Sequence, residues 1–124
     1  MATAPTRPSD SPTIETLKKR ADFLALRGAP GKGAPSFLLV ARARDDGDDA
    51  IRVGYTVTKK MGGAVRRNRI KRRLKEAARR AFAEYGVKGC DYVLIARPKA
   101  LTRNFTELLD DMKRALLSLR ANPK

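Results

Sequence analysis

The sequence predicts an α+β fold: a two-layer α/β sandwich in which a small mixed sheet carries helices packed mainly on one face. Three observations lead there. Ile51 to Val57 alternates apolar with polar residues, a basic amphipathic helix follows, and a short apolar strand ends at Arg97. A strand, a helix and a strand in that order suggest a crossover between parallel neighbours.

The elements follow in turn. Residues 1–13, MATAPTRPSDSPT, hold three prolines and almost nothing to bury, so they read as a disordered tail before a single domain over 14–121. From Glu15 to Arg27, Leu17, Ala21, Phe23 and Leu24 recur at roughly helical spacing, and GAPGKGAP breaks that helix. SFLLVARA is apolar and short enough for a strand, and RDDGDDA reads as a hairpin connection out of it. In IRVGYTVTKK, Ile51, Val53, Tyr55 and Val57 point to a core. Arg52, Gly54, Thr56 and Thr58 point to a polar sheet face, with Lys59 and Lys60 at its exit.

The main helix is predicted over Ala64–Tyr85. Ile70, Leu74, Ala77, Ala78, Ala81, Phe82 and Tyr85 make its apolar stripe, and Arg69, Arg72, Arg73 and Arg80 fall on the far side. Gly86 and Gly89 stop it. DYVLIAR is a short buried strand. NFTELLDDMKRALLSL is a closing amphipathic helix, capped by Asn104 with Glu107 three residues on.

Composition narrows the function. The 124 residues carry a formal net charge of +15, from 28 basic and 13 acidic side chains. Such a chain repels itself when folded and suits a polyanionic partner. With no histidine, imidazole bases, His-dependent triads and HExxH zinc sites are excluded. The single cysteine, Cys90, allows neither an intrachain disulfide nor a thiolate zinc cluster, and it reads as a small half-buried residue. No apolar run approaches a membrane span, and the N-terminal stretch has no apolar signal core, so a cytoplasmic protein is expected.

Charge concentrates in KKMGGAVRRNRIKRRLKEAARRAF. Between Lys59 and Arg80 stand eleven Lys or Arg and one acid, Glu76. Like charges three and four residues apart destabilise an isolated helix, so something outside it compensates. Phosphates do so, and guanidinium groups bind them in bidentate fashion. A nuclear-localisation segment would need accessible flexible chain, and a membrane-surface helix would need larger apolar residues than the Ala-rich stripe offers. Gly62 and Gly63 let the backbone approach a partner where free helix N–H groups attract anions, although Gly-Gly also makes a plain turn. Asp45, Asp46, Asp48 and Asp49 read as a solvated turn rather than a cation site. Phe23 and Phe37 are either core residues or, near the polar sheet face, platforms for single-stranded RNA.

These motifs resemble those of the bacterial ribonuclease P protein family. KKMGGAVRRNRIKRR is similar to its Lys-Lys, Gly-x-Ala-Val and Arg-Asn-Arg signature, and RVGYTVTKK to its preceding strand. LKKRADFLAL and DYVLIARPKA resemble its first helix and last strand, so the likeness runs from about Leu17 to Leu119. It implies an α/β sandwich with a left-handed crossover, against the usual right hand. It also implies an accessory subunit of an endoribonuclease that removes the 5′ leader from precursor tRNA. On that implication the catalytic RNA subunit does the chemistry with Mg2+, the protein alone is inactive and holds no catalytic residue, and no further protein partner is obligatory.

Carried over, the RNA-subunit-binding set is Arg66, Arg67, Asn68, Arg69, Lys71, Arg72 and Arg73. The leader-contacting set is Phe23, Arg27, Phe37, Thr56, Thr58, Lys59, Lys60 and Arg97. Arg27 and Val40 stand where the family often has aromatics, which shifts leader contacts from stacking toward charge. Gly63 stands for a more usual Asn or Lys. The Arg-rich helix by itself would equally suit a binding-only ribosomal or RNA-chaperone protein; the RVG strand and the RNR block in sequence favour the subunit.

Overall fold

The computed structural model describes residues 13–44 and 46–121. Of the expected tail only Thr13 falls among them, and Asp45 falls outside. The elements are β1 (Ile14–Thr16), α1 (Arg20–Ala25), β2 (Gly31–Gly33), β3 (Phe37–Ala43) and β4 (Ile51–Thr56). A 3-10 turn (Lys59–Met61), α2 (Ala64–Tyr85), β5 (Cys90–Ala96), a second 3-10 turn (Pro98–Ala100) and α3 (Phe105–Ala121) follow.

One five-stranded mixed sheet runs β1-β4-β5-β3-β2. β4 and β5 are parallel, with Val53 opposite Tyr92, so the crossover through α2 joins adjacent strands. The expected hairpin does not form. β5 lies between β3 and β4, antiparallel to the first and parallel to the second. The Asp-Gly composition of the β3–β4 connection marks a reversal of direction, which does not decide the neighbour. The first predicted helix also begins later. β-branched Ile14 and Thr16 extend along the sheet edge, where Ile14 pairs with Ile51, and only Arg20–Ala25 is helical.

The period-2 pattern sorts the sheet into two faces. Phe37 and Leu39, Ile51 and Val53, Tyr92 and Leu94 meet Ile70, Leu74 and Phe82 of α2 and Leu108, Met112 and Leu116 of α3 in the main core. Phe82 meets Tyr92 edge to face, ring centroids 4.8 Å apart. The stripe predicted on α2 is the buried one, with Tyr85 partly covered. Asn104 caps α3, its Oδ1 accepting the Thr106 and Glu107 backbone N–H groups.

The opposite face is less polar than expected. Leu17, Leu26 and Val93 form a second, smaller core with Phe23, Val40 and Ile95 partly buried against it. Alternation along β4 alone does not show this, because β3 and β5 are apolar on both faces, as central strands are.

Candidate nucleic-acid interface

Three rows of side chains cross the second face, each running from β4 through β5 to β3. Arg52, Asp91 and Arg42 make a charged row; Gly54, Val93 and Val40 the next; Thr56, Ile95 and Leu38 the third. Val93 and Val40 of the second row and all three residues of the third floor a groove of about 600 Å³, walled by Arg20, Phe23, Leu24 and Arg27 of α1 and its flank. An apolar floor with arginines on the rim suits bases below and phosphates above.

Phe23 is half-buried on that wall, and its position depends on Gly54. A Cβ at residue 54 would come within 2.5 Å of the Phe23 ring, so the ring lies directly over bare backbone. Glycine inside a strand marks such a close approach, and that is the signal by which Gly54 is legible as more than a polar-face residue. Asp22, the neighbour of Phe23, lies 3.7 Å from Arg52. Arg52 in turn donates from Nε and Nη2 to Asp91 at 2.8 and 3.0 Å, and these bonds outweigh the opposing effect of burial and leave its pKa raised. Sequence reasoning assigned neither Arg20 and Leu24 on the groove wall nor Arg52 and Gly54, which meet α1 from β4.

From the groove the chain runs straight to the basic helix. Thr56 lines the groove, exposed Thr58 precedes the 3-10 turn, and Lys59 and Lys60 are exposed on it. Gly62 then takes φ 121°, a backbone angle that L side chains rarely adopt. Arg66 and Arg67 fold back over this turn, with Arg67 Nε donating to the Gly62 carbonyl at 3.1 Å. Gly63 caps α2 without a side chain, and no acid stands in the first turn, so nothing offsets the positive end of the helix dipole. Arg66, Asn68, Arg69, Lys71 and Arg72 are exposed. Glu76 carries the helix's early negative charge, and Arg79 first and then Arg80 hold its carboxyl below the ordinary range.

Two predicted contacts stand elsewhere. Phe37 is wholly buried in the main core, on the helix side of the sheet, and takes no part in the groove. Its strand is apolar on both faces, so alternation alone does not set its phase. Arg73 is half-buried; its Nε donates to the Ala100 carbonyl at 2.9 Å and Nη2 to that of Arg103, tying α2 to the turn before α3. Arg80 also leaves the open face, lying over the Phe105 ring. Arg97 is exposed at the end of β5 and donates to the Ala34 carbonyl at 2.8 Å, beside β2. Arg27 is exposed on the groove rim.

The family model for ribonuclease P matches residues 12–120. The chain belongs to the ribonuclease P protein family. The ribonuclease P protein component of Ruegeria pomeroyi is 52% identical over 110 residues, covering 87% of this chain and 88% of that relative. That of Caulobacter vibrioides is 49% identical over 109 residues, covering 88% and 73%. Among solved structures, the RNase P protein of Staphylococcus aureus superposes with a TM-score of 0.71 at 25% identity, covering 85% of this chain and 94% of that one. The Thermotoga maritima protein does so at 0.65 and 32%, covering 81% and 96%. This chain is therefore a protein component of ribonuclease P, an endoribonuclease, and the binding-only alternative is not favoured.

Among the described residues no three or more His, Cys, Asp or Glu side chains gather as a metal site. Asp46 accepts from Arg44 and from the Asp48 N–H, and Asp48 from the Ala50 N–H, so these carboxylates hold their own loop. Burial pushes the Cys90 thiol up, away from a reactive thiolate. Among the described residues no helix is long and apolar enough to cross a membrane.

Proposed function

We propose that this protein binds the RNA subunit of ribonuclease P through the exposed start of α2 and takes the single-stranded 5′ leader of precursor tRNA into the groove. The observation that carries this reading is continuity. Thr56 lines the groove, α2 begins at Ala64, and only the lysine-bearing turn lies between. One positive track thus joins a base-sized apolar groove to a helix end studded with arginines. Two polyanions brought together by such a track repel each other less, because the side chains neutralise phosphates on both.

On this reading Arg66, Arg67, Asn68, Arg69, Lys71 and Arg72 meet the RNA subunit. Phe23 offers a face for a leader base, while Arg27, Lys59, Lys60 and Arg97 hold leader phosphates and Thr56 and Thr58 orient the strand. On this reading the metal that activates water at the scissile phosphate is held by the RNA subunit. Reconstitution tests this. Purified protein with magnesium should leave precursor tRNA intact; adding the RNA subunit should start 5′ cleavage. The protein's benefit should be largest at low magnesium and moderate salt, where repulsion is least screened. Cleavage by protein alone that survives nuclease treatment of the preparation overturns the reading.

A further inference from the structure

We infer that Arg52 and Gly54 are positioning residues for substrate, acting through helix α1. They stand two apart on one face of β4 and meet consecutive residues of α1: Arg52 lies 3.7 Å from Asp22, and Gly54 lies under the ring of Phe23. Each contact has a rigid base. Arg52 is fixed by two hydrogen bonds to Asp91, which is wholly buried in the central strand. Gly54 is itself buried, with Leu17 on the same side.

α1 needs such a latch. It is six residues long, has no side-chain cap, and buries none of its own residues. Helices that short are marginal in water and take their order from tertiary contacts. Leu17 and Leu26 anchor the chain before and after it, which leaves its rotation over the sheet to the contacts in between. The Arg52–Asp22 pair sets the azimuth of α1, and the missing Cβ at Gly54 sets the depth of Phe23. Together they fix the width of the groove at the place a base would stack. This rests on the proposed leader contact of Phe23, and the experiment separates the two.

Gly54→Ala, Phe23→Ala and the double variant are assayed as holoenzymes reconstituted with the RNA subunit, on precursor tRNAs with a long leader and a one-nucleotide leader. Gly54→Ala should raise KM for the long-leader substrate about fivefold or more, leave kcat and RNA-subunit affinity unchanged, and add nothing in the Phe23→Ala background. An equal rise for both leaders, or full additivity with Phe23→Ala, assigns Gly54 to general packing and overturns the inference. If Phe23→Ala itself shows no leader dependence, it is the proposed leader contact that fails. Asp22→Asn, at a partly exposed residue outside both cores, should give a leader-dependent rise of about two- to fivefold. Asp22→Glu should restore part of it, and an Asp22→Asn variant indistinguishable from wild type removes the Arg52 half of the latch.

Discussion

Arg44 and Asp91, 47 residues apart in sequence, meet at 2.8 Å with almost no exposure on either side chain. Arg44 also donates to the Asp48 and Ala50 carbonyls at 2.8 Å, so one guanidinium folds the β3–β4 connection over the end of β5. Burial pulls its pKa down, but the bonds to Asp91 and Asp46 outweigh this and leave it raised. The pair holds the loop that a hairpin turn would otherwise have held.

Asp91→Ala should therefore cost about 3–5 kcal/mol, because it strands a buried arginine and unties Arg52 as well. Arg44→Ala should cost less, about 1–3 kcal/mol, since Asp91 keeps both bonds from Arg52. Urea midpoints at constant slope check the order. If Arg44→Ala is the worse variant, the loop contacts and not the carboxylate dominate.

The start of α2 makes a different kind of prediction. Arg69→Ala with Arg72→Ala removes two exposed guanidiniums and touches no core residue. Affinity for the RNA subunit should fall, and the slope of log affinity against log salt should flatten by about 1 for each phosphate that is no longer neutralised. Native circular dichroism with unchanged affinity and slope would remove these residues from the interface.

Phe23→Ala should weaken binding of precursor tRNA more than of mature tRNA, by about 1–3 kcal/mol if one leader base stacks on the ring. Parallel titrations of both tRNAs on the holoenzyme measure the difference. Equal losses would make Phe23 a packing residue of the smaller core.

Local chemistry makes much of this legible. Both ends of α2 follow from its flanking glycines and its stripe, and Asn104 announces α3. The arginine cluster is visible as charge without counter-charge. What the sequence hides is long-range. Nothing near RDDGDDA says that β5, made forty residues later, will come between β3 and β4. Nothing in the spacing of Arg73 reveals that the Ala100 carbonyl will accept from it. Phe37 is misplaced by pattern alone because a strand with apolar residues on both sides carries no phase, and β1 escapes notice because three residues are too few to show a period. The groove is half-legible: Phe23 stands out, while its seat at Gly54 needs the strand and the helix in one frame.

The position of β5 has a consequence for the order of synthesis. It is the last strand to leave the ribosome and the one on which both halves of the sheet depend, for until then β3 and β4 pair only with three-residue edge strands. Sheets closed by such distant pairings form late, after their loops have been gathered. All the arginines of α2 are made before the first residue of β5. Once α2 has been made, the nascent protein is thus a polycation that still lacks the strand joining its sheet, and a chain truncated between Tyr85 and Cys90 remains one.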